Sequence, residues 1–268
     1  MANALQIYFK YIGISIRGQM QYRASFILTT IGSFLTTCVE FLAIWALFDR
    51  FKSLQGWRLE EVALFYGLVH VAFALAEGVG RGFDIFPGMV KSGNFDRLLL
   101  RPRSTALQVA AQELQLMRIG RLLQGLVVLL WATSALNVEW TIARVGLTMF
   151  TITGGVCLFI GLFIIQATLA FWTTESLEVM NTMTYGGNET AQYPLSIYRP
   201  WFRKFFTFIV PLACVSYFPA LAILGRTDAA IGSPTWFQWT APMIGIIFLI
   251  VCLQIWEFGV RHYRSTGS

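Results

Sequence analysis

Apolar residues fall into six runs, Ala24 to Phe48, Val62 to Gly80, Leu122 to Leu136, Val145 to Trp172, Phe205 to Leu224 and Met243 to Val260, and most of the charge lies between them. A bilayer core takes about 20 residues of helix. The third run is short for that and the fourth is long. Backbone groups in lipid must be satisfied within the segment, and no alternating pattern of the barrel kind is present. The pattern therefore predicts an all-α membrane protein of about six transmembrane helices, forming a single domain over 1–268. Met1 to Arg23 has neither a compact apolar core nor a small-residue cleavage site, so the first run is expected to stay in the chain.

Composition agrees with this reading: 56% of the residues are hydrophobic and 13% charged, against about a quarter charged in soluble domains. The distribution of the net charge of +6 adds an orientation. Short loops rich in Lys and Arg stay on the cytoplasmic side. Lys10, Arg17 and Arg23 precede the first run, and Arg81, Lys91, Arg97, Arg101, Arg103, Arg118 and Arg121 lie between the second and third. Arg199, Arg203 and Lys204 lie between the fourth and fifth, and Arg261 and Arg264 follow the last. The remaining loops offset Arg50, Lys52 and Arg58 with Asp49, Glu60 and Glu61, Arg144 with Glu139, and Arg226 with Asp228. Both ends are thus expected in the cytoplasm, with the positive charge serving topology and no nucleic acid required. Cys38, Cys157, Cys214 and Cys252 fall inside the runs without close spacing, as packing residues do.

Three segments outside the runs carry more information. Over Leu5 to Gln21, polar residues Gln6, Lys10, Gly13, Arg17 and Gln21 form one helical stripe, and Leu5, Tyr8, Phe9, Ile12, Ile16 and Met20 another. That is the profile of a helix lying in the membrane interface, here an N-terminal elbow over 1–23. The loop GRGFDIFPGMVKSGNFDRLLLRPRS, residues 80–104, is long for a compact bundle and has an amphipathic core from Phe86 to Leu100. Its Phe83, Phe86, Met89, Val90, Phe95 and Leu98 to Leu100 supply an apolar face suited to a partner groove, while its basic residues suit lipid headgroups. Pro194 and Pro200 prevent a continuous helix across Thr173 to Lys204, a segment expected to re-aim the chain into the membrane. Further on, Pro211 and Pro219 break the fifth run, and Trp236, Phe237 and Trp239 cluster after it. Residues 217–242 are therefore expected to form a re-entrant hairpin in the outer leaflet.

Candidate chemistry is sparse. No GxxxxGK[ST] nucleotide loop, HExxH pair or GxSxG elbow occurs. Glu60 and Glu61 resemble the paired glutamates of intramembrane prenyl-protein proteases, but Phe65 stands where those families carry an arginine. Ionisable residues inside spans are functional candidates, which selects Glu40, His70 and Glu77, with Gln166, Gln254 and Glu257 as milder cases. Glu77 and Glu257, close to Arg81 and Arg261, are expected to form boundary salt bridges. Glu40 fits either a translocation path or pairing with another helix.

The elbow helix, the six spans, the loop FPGMVKSGNFDRLLLRPRS and the run YPLSIYRPWFRKFFTFIVPLACVSYFPALAILG together resemble the permease subunits of bacterial type-2 ATP-binding-cassette transporters. The likeness covers essentially the whole chain and lies with the short, unfused branch. It implies a half-permease that pairs with a second permease, identical or homologous, and with two ABC ATPase subunits that bind ATP and Mg, so this chain needs no cofactor and is not itself an enzyme. It also implies that the loop after the second span carries the coupling helix, with Phe86, Met89, Lys91, Gly93, Asp96, Arg97 and Arg101 facing the ATPase. The first, second and fifth spans would line the path, making Glu40, Phe41, Trp45, His70, Pro211, Tyr217 and Pro219 candidates. The implied function is export of a lipid-like, glycan or hydrophobic substrate across the bacterial inner membrane. The main alternative is a secondary transporter or channel using intramembrane acids, although the repeated halves common in such folds are absent.

Overall fold

The computed structural model describes residues 13–14, 16–113, 115, 118–173, 177–227 and 231–263. Regular structure among them is helical. The long helices α1 (Arg23–Phe51) and α2 (Leu59–Gly80) are followed by the short α3 (Gly82–Lys91), α4 (Asp96–Leu99) and α5 (Thr105–Ala110). Then come α6 (Ile119–Ala135), α7 (Ile142–Leu169) and α8 (Leu177–Ala191). The last part holds α9 (Pro200–Lys204), a π-helical stretch (Phe205–Ile209), α10 (Leu212–Val215), α11 (Tyr217–Leu224), α12 (Thr235–Thr240) and α13 (Met243–His262). Most of the expected elbow helix lies outside the described residues; 16–20 are helical and lead into α1.

α2 is the centre of the bundle. It is buried without a break from Glu61 to Ala74, because α6, α7, α8 and α11 pack around it. A helix apolar on every side is stable only in such surroundings. α1 packs mainly on α6, and α13 on α7, so these two outer helices keep broad apolar faces exposed. In α7 the hydroxyls of Thr148, Thr151 and Thr168 donate to carbonyls four residues back, which satisfies them within an apolar helix.

The bundle has two distinct poles. At the basic end of α2 Glu77 meets Arg81, Arg118 and Arg121; at the far end lie Trp57 and Glu61. α6 begins against Thr30 of α1 at the basic end, and Trp256 of α13 packs on Phe83 and Phe86 there. α1 therefore starts, and α13 finishes, at the same end of the bundle.

Among the described residues four helices are long and apolar enough to cross a membrane, namely Arg23–Phe51, Leu59–Lys91, Ile142–Leu169 and Met243–His262. α6, with 17 residues, is shorter. The fifth run is bent by 74° between Pro200–Ile209 and Leu212–Leu224. Pro211, which cannot donate a backbone hydrogen bond, stands at that break, next to a π-helical turn. Both flanks of the pair meet Trp57: its indole Nε1 donates to Ser196 Oγ at 2.9 Å, and the Arg226 guanidinium lies 4.5 Å from its ring centroid. A stretch whose ends return to one residue is a hairpin, so the expected single span Phe205 to Leu224 is corrected. The chain instead passes from the basic end toward the far end through α8, where Tyr185 touches Arg81 and the following turn brings Ser196 to Trp57. α8 lies in the segment expected to be a connection, and its buried Thr184, Asn188 and Thr190 explain why hydropathy does not mark it.

α11 and α12 form a second hairpin, with Phe218 and Phe237 ring centroids 5.1 Å apart. α13 begins beside Gly154, about the middle of α7, where a Cβ on Gly245 would stand 2.1 Å from the Gly154 carbonyl oxygen. α5 ends at Ala110 and α6 begins at Ile119, so the two are separate helices.

Candidate functional site

The loop between α2 and α6 has two sides. Phe83, Phe86, Val90, Phe95 and Leu98 are buried in the protein's own core. Phe86 stands edge-on to Phe95 at 4.9 Å, to Trp256 at 4.8 Å and to Phe171 at 5.2 Å. Trp256 Nε1 also donates to Thr105 Oγ1 at 2.9 Å, fixing the start of α5 to α13. α3 and α5 approach so closely that a Cβ on Gly82 would lie 1.8 Å from the Val109 carbonyl oxygen. The apolar face read as a partner surface is therefore corrected: the chain's own α7 and α13 cover most of it, Phe86 included.

What stays accessible is the rim after α3. Lys91, Asn94, Arg97 and Arg101 are exposed, Met89, Gly93 and Asp96 half-buried, and Leu100 is 85% exposed. The rim has a defined shape. Gly93 takes φ +66°, a left-handed turn that favours glycine. Asn94 bridges Ser92, at 2.8 Å, and the Arg97 guanidinium, which donates to Asn94 Oδ1. Gln108 Nε2 donates to the Leu98 and Arg103 carbonyls at 3.3 and 3.2 Å, holding the rim to α5.

Behind the loop lies a charged node. The Glu77 carboxylate, fully buried, is 2.8 Å from Arg118 Nη2, 3.3 Å from Arg121 Nη1 and 4.0 Å from Arg81 Nη1. Arg81 pairs more closely with Asp84 of α3 and donates to the Tyr185 hydroxyl of α8 at 3.2 Å. The expected Glu77–Arg81 bridge exists, but Arg118 is the nearer partner and was not foreseen, because it stands 41 residues further along the chain. Glu257 is exposed and forms no ion pair with Arg261 among the described residues, which corrects the second expected bridge. The node joins α2, α3, α6 and α8 within one set of charge-assisted contacts.

The far end of α2 is held differently. Glu61 accepts from the Arg58 backbone N–H at 2.9 Å, closing the first turn, and its other oxygen is 2.6 Å from Arg226 Nη2. In the turn after α8 the Tyr198 hydroxyl donates to the Thr190 carbonyl at 3.2 Å. Burial pushes that hydroxyl up to about 12, so it remains a donor at physiological pH.

The candidate path residues do not come together. Phe41 and Trp45 line an open, mostly apolar cleft of about 560 Å³ between α1 and α6, with Phe34, Cys38, Gln124 and Trp131. Glu40 is not among its lining residues. It is half-buried on α1. His70 is buried and stacked 3.9 Å from the Tyr66 ring, with the Gln192 side chain beside it. Pro211, Tyr217 and Pro219 are core residues, Tyr217 facing Phe65 at 6.3 Å.

Comparison with known proteins adds one finding. The family model described as ABC-2 family transporter protein matches residues 34–267. No curated protein and no solved structure matches the chain. A match over that length, on an all-helical chain with several apolar helices of membrane-crossing length, makes this protein a membrane permease subunit of the ABC-2 transporter family, which works with ABC ATPase subunits.

Proposed function

We propose that the exposed rim from Lys91 to Arg103 is the surface on which the ATPase docks, with the basic end of the bundle in the cytoplasm and both termini on that side of a bacterial inner membrane. The observation that supports this reading is the rim itself: a basic strip anchored on a buried aromatic cluster and backed by a charged node that reaches α2, α6 and α8. A push on the rim would pass to three long helices without a flexible link between. Lys91, Arg97 and Arg101 would meet acidic residues of the partner, and Leu100 would fill an apolar pocket there. ATP and Mg would be bound by the partner subunits.

A second permease, identical or homologous, would complete the path and cover part of the broad apolar faces, with lipid on the remainder. The bent pair around Pro211 and the hairpin of α11 and α12 would lie in the outer half of the membrane, covered by protein. Export of a lipid-like, glycan or hydrophobic substrate fits this arrangement, and the cleft lined by Phe41 and Trp45 gives an apolar molecule lateral access from the bilayer.

The test is co-purification of the chain with its cognate ATPase, followed by ATPase and transport assays in proteoliposomes. Joint charge reversal, Arg97→Glu with Arg101→Glu, is expected to reduce association at least tenfold and to abolish transport, leaving the permease folded. Unchanged transport in the doubly reversed protein would reject the docking assignment.

A further inference from the structure

The cleft of about 560 Å³ between α1 and α6 has a chemistry as well as a shape. It follows α1 from Phe34 to Trp45, a stretch of helix that rises about 16 Å, so the recess is elongated. Leu42 and Val127, which line it, are more than half exposed, and its mouth therefore lies on the apolar outer face of the bundle. Among its described lining residues none is charged.

The polar atoms left over in this recess are of one kind. Gln124 lines the cleft and is buried. The Tyr66 hydroxyl of α2 shares its proton between the Thr37 carbonyl, at 3.0 Å, and Gln124 Oε1, at 3.3 Å. Gln124 Nε2, a donor, is left with no partner among the described residues. The indole N–H groups of Trp45 and Trp131, both lining the cleft, likewise donate to nothing among the described residues. Elsewhere the indoles of Trp57, Trp140 and Trp256 each find an acceptor at 2.9 Å. Amide and indole N–H groups can only donate. Lipid tails offer no acceptor, and a donor held away from water without one is costly and rare.

We infer that this cleft binds an elongated, uncharged lipid-like molecule that carries hydrogen-bond acceptors, such as an ester, ether or ketone, and few donors. The assignment rests on the permease reading above and narrows its substrate class. The Gln124 amide and the two indoles would meet the acceptors, while the Phe41 and Trp131 rings, 6.1 Å apart and edge to face, would hold the apolar part. A glycan would bring many hydroxyl donors to a lining whose strong side-chain acceptor is already engaged by Tyr66, and an ion would find no counter-charge. Neither suits this cleft.

A matched pair of photoprobes tests it: a diazirine-bearing methyl palmitate, and the diazirine-bearing hydrocarbon of the same chain length that lacks the ester. After illumination of the full-length permease in nanodiscs, adducts are mapped by peptide mass spectrometry. The ester is expected to label the cleft segments of α1 and α6 at least fivefold more than the hydrocarbon does, while the two label the exposed face of α13 around Ile247 and Ile250 equally. Gln124→Leu, which removes the amide and keeps an apolar side chain of similar size, should cut the ester's excess at the cleft at least threefold. Equal labelling of the cleft by the two probes, as bulk lipid tails alone would give, overturns the proposal, and so does an excess that Gln124→Leu leaves unchanged. The comparison of probes needs no variant, so a misfolded substitution cannot hide the answer. The labelling is read without the ATPase: ester-selective labelling in a permease that fails to associate with its ATPase would fault the docking assignment, and loss of selectivity with association intact would fault this site.

Discussion

At its basic end α2 is fastened by Glu77, a fully buried carboxylate reached by Arg118, Arg121 and Arg81 from two other parts of the chain. At its far end it is fastened by Glu61, which holds Arg226 alone, and that guanidinium is more than a third exposed. The first arrangement is redundant and its carboxylate fully shielded from water, the second single and wetter. Removing one partner of a buried, hydrogen-bonded charge set strands the others, whereas a half-exposed pair can fall back on solvent. The difference assigns rigidity to the end where the rim sits and looser fastening to the end where the broken hairpin returns to Trp57. That is the division of labour expected of a permease driven from one side.

Glu77→Ala should have the largest effect. It leaves the Arg118 and Arg121 guanidiniums without their carboxylate at a cost of about 3–5 kcal/mol, to be read as a fall in the thermal midpoint of the purified protein in nanodiscs. Phe86→Ala should come close, at about 3–5 kcal/mol, because it empties the centre of the cluster formed with Phe95, Phe171 and Trp256. Glu61→Gln should cost less, about 1 kcal/mol, since Arg226 keeps solvent and its place over the Trp57 ring. If Glu61→Gln destabilised as strongly as Glu77→Ala, the contrast between the ends would be wrong. Smallest of all is Leu100→Ala, expected to change stability by no more than about 0.5 kcal/mol while weakening ATPase association. The pair Phe86→Ala and Leu100→Ala thus separates, within one loop, the side that holds the fold from the side offered to the partner.

Much of this was legible in the sequence where hydropathy alone decides. Ala24 to Phe48, Val62 to Gly80, Val145 to Trp172 and Met243 to Val260 lie within three residues of helix limits, as apolar runs of bilayer length must. The fifth run was misread because apolar content is the same for a crossing helix and for a hairpin buried among other helices; only the meeting of Ser196 and Arg226 at Trp57 tells them apart. α8 was overlooked for the opposite reason, since Thr184 and Asn188 are polar yet buried. In the loop, Lys91, Arg97 and Arg101 are exposed, whereas Phe86 is buried against Trp256 and Phe171, which nothing near it in sequence announces. Arg118 escaped for the same cause: spacing along one helix pointed Glu77 toward Arg81, and the nearer cation arrives from a different helix.

The central claim, that the rim after α3 meets the ATPase, is tested most directly by a photo-crosslinking residue, p-benzoylphenylalanine, placed at Leu100 and, for comparison, at Trp236, an exposed aromatic of α12. In the assembled transporter, illumination is expected to join the ATPase subunit to the permease labelled at position 100 and not to the one labelled at 236. An adduct from 236 with none from 100 would contradict both the docking surface and the orientation of the bundle.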